Sequence, residues 1–111
     1  MKDCIFCKLA NKEIPTEVIF EDDNTFVFKS NRPVSEYHLL IIPKKHINNF
    51  LELDENILNM TKIAQKLIGD LKIGDGYKLV FNGGKYQFIN HVHWHLLAGK
   101  LENENDILSK T

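Results

Sequence analysis

The longest periodic pattern of apolar residues lies in the middle of the chain and predicts a helix over residues 54–70. Apolar residues recur there at steps of three and four, which is the spacing of one face of an α-helix. They are Ile57, Met60, Ile63, Ala64, Leu67, Ile68 and Leu71. Asp54 is expected as the N-cap. A shorter helix is predicted over residues 4–10, with Ile5, Phe6 and Leu9 turned inward.

Short apolar runs bounded by turn residues predict five β-strands. They cover residues 18–21, 25–29, 38–42, 77–81 and 91–97. Asp22-Asp23-Asn24 separates the first two, which predicts a hairpin. Because short turns favour antiparallel pairing, we expect an α+β fold: a five-stranded antiparallel sheet with one long and one short helix on one face.

Length and composition narrow the class of protein. The 111 residues suit a single domain over 1–111, ending in a polar tail from about residue 101 whose Ile107 and Leu108 are candidates for docking on a partner subunit. A net charge of −1 argues against a nucleic-acid partner. No apolar stretch approaches the roughly 20 residues that span a bilayer, and none resembles a signal peptide, so no membrane partner and a cytoplasmic location are expected.

The most informative segment is His91-Val92-His93-Trp94-His95-Leu96-Leu97. On a strand, successive side chains alternate between faces, so the three histidines share one face and the apolar residues can pack against the helix on the other. A purification tag or a surface histidine patch is a weak explanation, because a tag is terminal and lacks alternating apolar partners. Two chemical interpretations remain. The histidines could hold a catalytic zinc, or an imidazole could attack phosphorus and form a phosphoramidate intermediate.

Cys4 and Cys7 have C-x-x-C spacing. In a reducing compartment this spacing suggests a metal pair or a redox pair. The pair precedes every predicted strand, whereas a redox pair needs a strand before it, so the redox interpretation is weaker. Two unremarkable thiols are the remaining alternative.

These residues resemble the histidine triad (HIT) superfamily. The segment 91–97 matches its signature of alternating histidines. The resemblance extends from Cys4 to about Gly99 and is strongest to the nucleotide-binding, Hint-type branch. Other matching segments are Cys4-Ile5-Phe6-Cys7-Lys8, Ile14-Pro15, Phe20-Glu21-Asp22, His38 to Ile47, and Tyr77 to Asn82.

The resemblance implies a homodimer with its two sheets joined, and hydrolysis of a purine nucleoside phosphoramidate or related adenylyl compound to an AMP- or GMP-like monophosphate. It makes His93 the nucleophile on the α-phosphorus. His95 would contact the phosphate and assist the leaving group, and His38 would orient this network. Nucleotide-binding positions are implied at Ser30, Asn82, Gln87, His93 and His95.

The same branch implies a structural zinc ion and no organic cofactor. In members that carry zinc, the ligands correspond here to Cys4, Cys7, His46 and His91. Two thiolates and two imidazoles make a closed tetrahedral set, which suits structural rather than catalytic zinc. The ion would pin the N-terminal segment to the sheet and fix the histidine strand.

Several positions depart from the family pattern. Ser30 stands where an acidic residue commonly binds the ribose hydroxyls, Phe88 replaces a small hydroxyl residue, and Tyr86 replaces a glycine. The loop between Asn82 and His91 also looks shorter than the common form. These departures point to a different leaving group. The competing functions are dinucleoside polyphosphate hydrolysis, nucleotidyl transfer, and a nucleotide-binding or protein-interaction module with vestigial catalysis.

Overall fold

Residues 3–101 are described by the structure, a computed structural model. They form two α-helices and five β-strands in the order helix, three strands, helix, two strands. The elements are α1 (Ile5–Ala10), β1 (Val18–Glu21), β2 (Thr25–Lys29), β3 (Ser35–Pro43), α2 (Asn56–Asp70), β4 (Tyr77–Val80) and β5 (Trp94–Leu101). Short 3-10 turns at Phe50–Glu52 and Gly84–Tyr86 lie in the connections.

The five strands form one sheet in the order β1-β2-β3-β5-β4, and each neighbouring pair is antiparallel. The predicted α+β class and five-stranded antiparallel sheet are confirmed. Strand β5, the last in the described chain, lies between β3 and β4. The histidine segment therefore leads into a strand that has neighbours on both sides.

The helices pack on opposite faces of the sheet, so the prediction of both on one face is wrong. Helix α2 joins a core with Val27, Ile41 and Leu96, whereas Phe6 and Leu9 of α1 join a second core. That second core contains Phe26, Phe28, Leu40 and Ile42. The reason lies in β2 and β3, whose consecutive residues are apolar and buried on both faces, so that each face needs a helix to cover it.

Strand β5 begins at Trp94, three residues later than predicted, and continues to Leu101. The last residue pair between β3 and β5 is Ile41 with Trp94. Before Trp94 the chain turns to the loop that follows β3, where the Val92 amide donates to the Ile47 carbonyl at 2.7 Å. His91 and His93 are thus held beside the sheet end rather than inside its ladder.

Two smaller expectations about the helices also fail. Ile57 is 37% exposed and Ile5 is 47% exposed, although both were predicted to face the core. Each lies in the first turn of its helix, with its side chain partly exposed to solvent. Asp54 precedes the helix by two residues, yet its carboxylate accepts the backbone N–H of Asn56, so it still caps the first turn.

Within residues 3–101 no helix is long and apolar enough to cross a membrane. The proposed docking residues Ile107 and Leu108 lie outside the described residues. The prediction of one domain over residues 1–111 stays a prediction.

Candidate functional site

The histidine segment places its side chains as the alternation predicts. Val92, Trp94 and Leu96 pack in the core beneath α2. His91, His93 and His95 lie on the side of α1 and are 0%, 3% and 4% exposed. Three buried imidazoles in a row need specific polar partners, because an unpaired polar group in a protein interior is unfavourable.

His38 and His95 form one hydrogen-bonded chain with a defined direction. The backbone N–H of Val34 donates to Nδ1 of His38 at 3.1 Å, and Nε2 of His38 lies 2.9 Å from Nδ1 of His95. Since Nδ1 of His38 accepts, the proton of this ring is on Nε2 and is donated to His95. Nδ1 of His95 is then an acceptor, so a neutral His95 carries its proton on Nε2.

His93 has the opposite arrangement. Its Nδ1 lies 2.7 Å from the backbone carbonyl oxygen of His91, and a carbonyl can only accept. The ring proton is therefore on Nδ1, and the lone pair is on Nε2. The rings of His93 and His95 have centroids 5.3 Å apart. The two neighbouring imidazoles thus offer a lone pair and an N–H at the same ring position.

Asn82 and Gln87 lie together beside His93. All three line a small cavity at the start of β5, together with Phe50, Phe81, Val92 and Trp94. The amide nitrogen of Gln87 donates to the carbonyls of Asn48 at 2.7 Å and Ile89 at 2.8 Å. Both amide hydrogens of Gln87 are used in this way, so its Oε1 is the atom left to face a ligand.

Ser30 lies at the other end of the histidine group, next to His38. Its backbone N–H donates to the His38 carbonyl at 2.9 Å, and its hydroxyl accepts from the backbone N–H of Arg32 at 3.1 Å. The structure therefore brings together His38, His93 and His95, with Ser30 beside one end and the Asn82–Gln87 pair beside the other.

Cys4, Cys7, His46 and His91 form a second cluster, and one donor atom from each lies within 4.8 Å of the others. Nδ1 of His91 is 3.3 Å from Sγ of Cys4 and 3.5 Å from Sγ of Cys7. Nδ1 of His46 is 3.3 Å from Sγ of Cys7. A tetrahedral zinc site with ordinary bond lengths has sulfur–nitrogen separations of about 3.6 Å, so these donors fit such an ion.

The two imidazole rings of this cluster are oriented by hydrogen bonds that their Nε2 atoms make on the side away from the thiols. Nε2 of His91 donates to the Pro43 carbonyl at 2.8 Å, and Nε2 of His46 is 2.9 Å from Oδ1 of Asn48. Both rings therefore present an unprotonated Nδ1 to the thiols, as a metal ligand requires. Among residues 3–101, the metal-capable cluster takes in His91 and leaves out His93 and His95, so it gives no support to a catalytic zinc on the triad.

Burial controls the protonation of two members of the cluster. Burial lowers the pKa of His91 to about 4, which keeps this ring neutral at physiological pH. Burial, followed by the neighbouring Cys4 thiol, raises the pKa of Cys7 to about 11. A metal ion reverses the effect on the thiol because it stabilises the thiolate directly. Without an ion the Cys7 thiol is therefore protonated and the His91 ring is neutral. With an ion the four residues can form a closed thiolate–imidazole site.

Sequence reasoning missed the groups that orient these rings. The Val34 N–H and the Pro43 and His91 carbonyls belong to the backbone, which carries no side-chain signal. Asn48, two residues after His46, and Phe6, between the two cysteines, gave only weak signals. Phe6 was expected simply as a core residue, yet its ring contacts both His91 and His93.

Comparison with known proteins places this geometry in a family. The HIT domain family model matches residues 11–102. An uncharacterised HIT-like protein of Methanocaldococcus jannaschii is 38% identical over 110 residues, covering 95% of this chain and 84% of that protein. Adenosine 5'-monophosphoramidase of Candida albicans is 35% identical over 109 residues, covering 89% of this chain and 72% of that enzyme.

Solved structures agree in fold. The crystal structure of a HIT family hydrolase from Legionella pneumophila superimposes with a TM-score of 0.84. It is 40% identical in sequence, and the match covers 91% of this chain and 96% of that one.

Proposed function

The chain belongs to the HIT domain family, and from that membership we propose that it hydrolyses purine nucleotide conjugates at the α-phosphate through a nucleotidyl intermediate on His93. The conjugates are nucleoside phosphoramidates or related adenylyl compounds, and the product is an AMP- or GMP-like monophosphate. Similarity to an adenosine 5'-monophosphoramidase supports the phosphoramidate in particular.

The observation that carries this proposal is the opposite protonation of two adjacent imidazoles. The His91 carbonyl fixes the lone pair of His93 on Nε2, and the chain from Val34 through His38 fixes the proton of His95 on Nε2. Displacement at phosphorus with an amine leaving group needs both: a nucleophile for the phosphorus and an acid for the departing nitrogen.

The reaction then proceeds in two balanced steps. Nε2 of His93 attacks the α-phosphorus and forms a P–N bond, while the bond from phosphorus to the leaving nitrogen breaks. That nitrogen takes the Nε2 proton of His95, and a water molecule replaces this proton in the same step, so that His95 stays neutral. The hydroxide left from the water attacks phosphorus, the bond to His93 breaks, and the monophosphate leaves with both histidines in their starting forms.

The nucleotide is proposed to lie along the group from Ser30 to Gln87. Asn82 and Gln87 lie beside His93 in one cavity, which supports a place for them next to the phosphate. Ser30 lies beside His38 and is proposed to contact the ribose. Because Oε1 of Gln87 is the atom left to face a ligand, we propose that Gln87 accepts a hydrogen bond from the leaving amine or from water rather than donating to the phosphate.

Zinc is the proposed occupant of the cysteine–histidine cluster. Cys4, Cys7, His46 and His91 would supply all four ligands of a tetrahedral ion, which leaves no position for substrate or water. Such an ion crosslinks α1 to the loop after β3 and to the histidine segment, and its contribution is to stability. The free thiols of Cys4 and Cys7 suit a reducing compartment, and the cytoplasmic location stays a prediction.

A homodimer is proposed through the edge strand β4. Tyr77 and Leu79 on this strand are 50% and 41% exposed. An outer strand with apolar side chains presents unpaired backbone groups to another strand. Pairing with a second copy joins two sheets into one.

The dimer is tested by a substitution on each edge of the sheet. Leu79→Asp is expected to give a monomer in sedimentation experiments. Val18→Asp, at a similarly exposed site on the opposite edge, is expected to leave the dimer intact. A dimeric Leu79→Asp variant would contradict the proposal.

The decisive experiment is intact-protein mass spectrometry after brief, quenched incubation with an adenosine phosphoramidate. We expect a transient adduct with the mass of an adenylyl group on the natural protein and none on His93→Ala. Release of AMP with no adduct at any quench time, and with inversion of configuration at phosphorus, would contradict the covalent route.

The competing activities have separate signatures. Faster turnover of a diadenosine polyphosphate than of the phosphoramidate favours dinucleoside polyphosphate hydrolysis. Tight nucleotide binding with no turnover of either compound over many hours favours a binding module.

A further inference from the structure

Phe6 connects the two histidine clusters. It lies in α1 between Cys4 and Cys7, and its side chain is 4% exposed. The ring centroid lies 5.0 Å from that of His93 at an interplanar angle of 69°, and 6.0 Å from that of His91 at 82°. These are edge-to-face contacts of the kind that aromatic rings favour.

The orientation of the His93 ring depends on such contacts. Its hydrogen bond to the His91 carbonyl fixes the position of Nδ1, but the ring can still tilt about that bond. Phe6 contacts the ring on one side, and His95, with its centroid 5.3 Å away, contacts it on another. These two neighbours therefore help to set the plane of the ring, and with it the direction of the Nε2 lone pair.

Phe6 is in turn held by the cysteines on either side of it. Helix α1 has six residues, too few for a helix that is stable by itself. Sγ of Cys4 caps the helix by accepting from the Cys7 backbone N–H at 3.4 Å, and both thiols meet the histidines of the metal-capable cluster. The Phe6 ring is anchored further by an edge-to-face contact with Phe28 at 5.6 Å.

We propose that Phe6 is a positioning residue for His93, and that it transmits occupancy of the Cys4–Cys7–His46–His91 cluster to the orientation of the nucleophile. The proposal rests on the function assigned to His93 above. An ion in the cluster would hold both ends of the Cys4–Cys7 turn and so keep Phe6 in contact with the His93 ring. Without the ion, α1 loses one of its anchors and the ring of His93 gains freedom to tilt.

The test compares Phe6→Leu with Ile5→Ala on the zinc-loaded protein. Ile5 belongs to the same helix but is 47% exposed, so it is a matched control. Phe6→Leu is expected to keep its zinc and its affinity for AMP within about twofold, and to lose about tenfold in kcat because a small misplacement of a reacting group slows the reaction. Ile5→Ala is expected to match the natural protein.

A second readout is independent of activity. In ¹⁵N-histidine NMR spectra, the ring resonances of His93 are expected to shift and broaden in Phe6→Leu. Chelation of zinc from the natural protein should move the same resonances in the same direction, and chelation should move them less in Phe6→Leu. This difference distinguishes two routes by which zinc removal could affect the His93 ring, one through Phe6 and one through the His91 backbone.

Each outcome decides the proposal. Natural kcat and natural His93 resonances in Phe6→Leu would overturn the positioning role, and an equal response to chelation in both proteins would overturn the link to the cluster. If Phe6→Leu is poorly folded or loses zinc, Phe6→Met, which retains the volume without the ring, takes its place. If the natural protein turns over no nucleotide conjugate, the proposed function fails while the NMR comparison still tests Phe6.

Discussion

His91 and His93 are two residues apart on the same side of the chain, and both are buried, yet the backbone holds their rings in opposite ways. The Pro43 carbonyl accepts a hydrogen bond from Nε2–H of His91, so that Nδ1 of His91 faces two thiols. The His91 carbonyl accepts a hydrogen bond from Nδ1–H of His93, so that the lone pair of His93 is on Nε2. One ring becomes part of a metal-capable cluster, and the other has its lone pair on Nε2, as the proposed nucleophile requires.

The comparison shows that the chemistry of a histidine depends on its hydrogen-bond partners as well as on the imidazole itself. Each imidazole has two nitrogens, and the carbonyl or N–H that engages one of them decides what the other can do. His95 is a third case, because a donated hydrogen bond from His38 leaves its proton on Nε2. Three histidines at alternate positions therefore offer three different groups.

The largest effect is expected from His93→Ala, which tests whether His93 and the metal-capable cluster have separate roles. We expect turnover of an adenosine phosphoramidate to fall by roughly 10³-fold or more, because the nucleophile is removed. Zinc content should remain, since His93 does not belong to the donor cluster. AMP binding should remain measurable, because the other proposed nucleotide-binding residues are unchanged. Steady-state kinetics, metal analysis and AMP titration check this, and full activity in the variant would contradict the mechanism.

The reciprocal test is Cys7→Ser, which removes a ligand from the other cluster. The variant is expected to lose zinc and to melt roughly 10–20 °C below the zinc-loaded protein, since a ligand held far above its dissociation constant contributes about 4 kcal/mol of stability. Calorimetry with metal analysis measures both effects. Lys8→Ala, on the same helix, is the control; unchanged zinc content in Cys7→Ser would show that the cluster is not the binding site.

A third variant examines the hydrogen-bonded chain itself. His38→Gln removes the ring that fixes the tautomer of His95, and we expect kcat to fall about tenfold, which is less than the loss of an acid–base group. KM should change little, and the pH profile of kcat should move. Tyr37→Phe, next to it on β3 with its side chain in the α2 core, is the control. A His38→Gln variant with unchanged kcat and pH profile would remove His38 from the network.

The smallest effect is expected at Asp54, which belongs to neither cluster and gives a baseline for both. Hydrogen bonds from Asn56, then the ion pair with Lys45, lower the pKa of Asp54 to about 2. Because the folded pKa is lowered, the stabilisation is present above the ordinary pKa near 3.8 and is lost as the pH falls from there towards 2. Asp54→Asn should therefore lower the melting temperature slightly at pH 7 and by less at pH 2, where the carboxyl is about half protonated. An equal decrease at both pH values would show that the carboxylate charge has no part in it.

Much of the fold could be predicted because local patterns carry it. The spacing of Met60, Ala64 and Leu67 gave α2, and the turn at Asp22–Asn24 gave the β1–β2 hairpin. The sides of the sheet could not be assigned in this way. A buried strand such as β2 is apolar on both faces, and its sequence does not say which helix covers which face.

The donors can be identified from the sequence alone: two cysteines and five histidines, with three of the histidines on one face of an extended segment. Their division into two clusters follows from the tertiary structure. The loop after β3 brings His46 and the Pro43 carbonyl to His91, and the β2–β3 connection brings the Val34 N–H to His38. These partners are mostly backbone groups from distant segments. They are the same in every residue type, so their effect on each imidazole comes from where the folded chain places them.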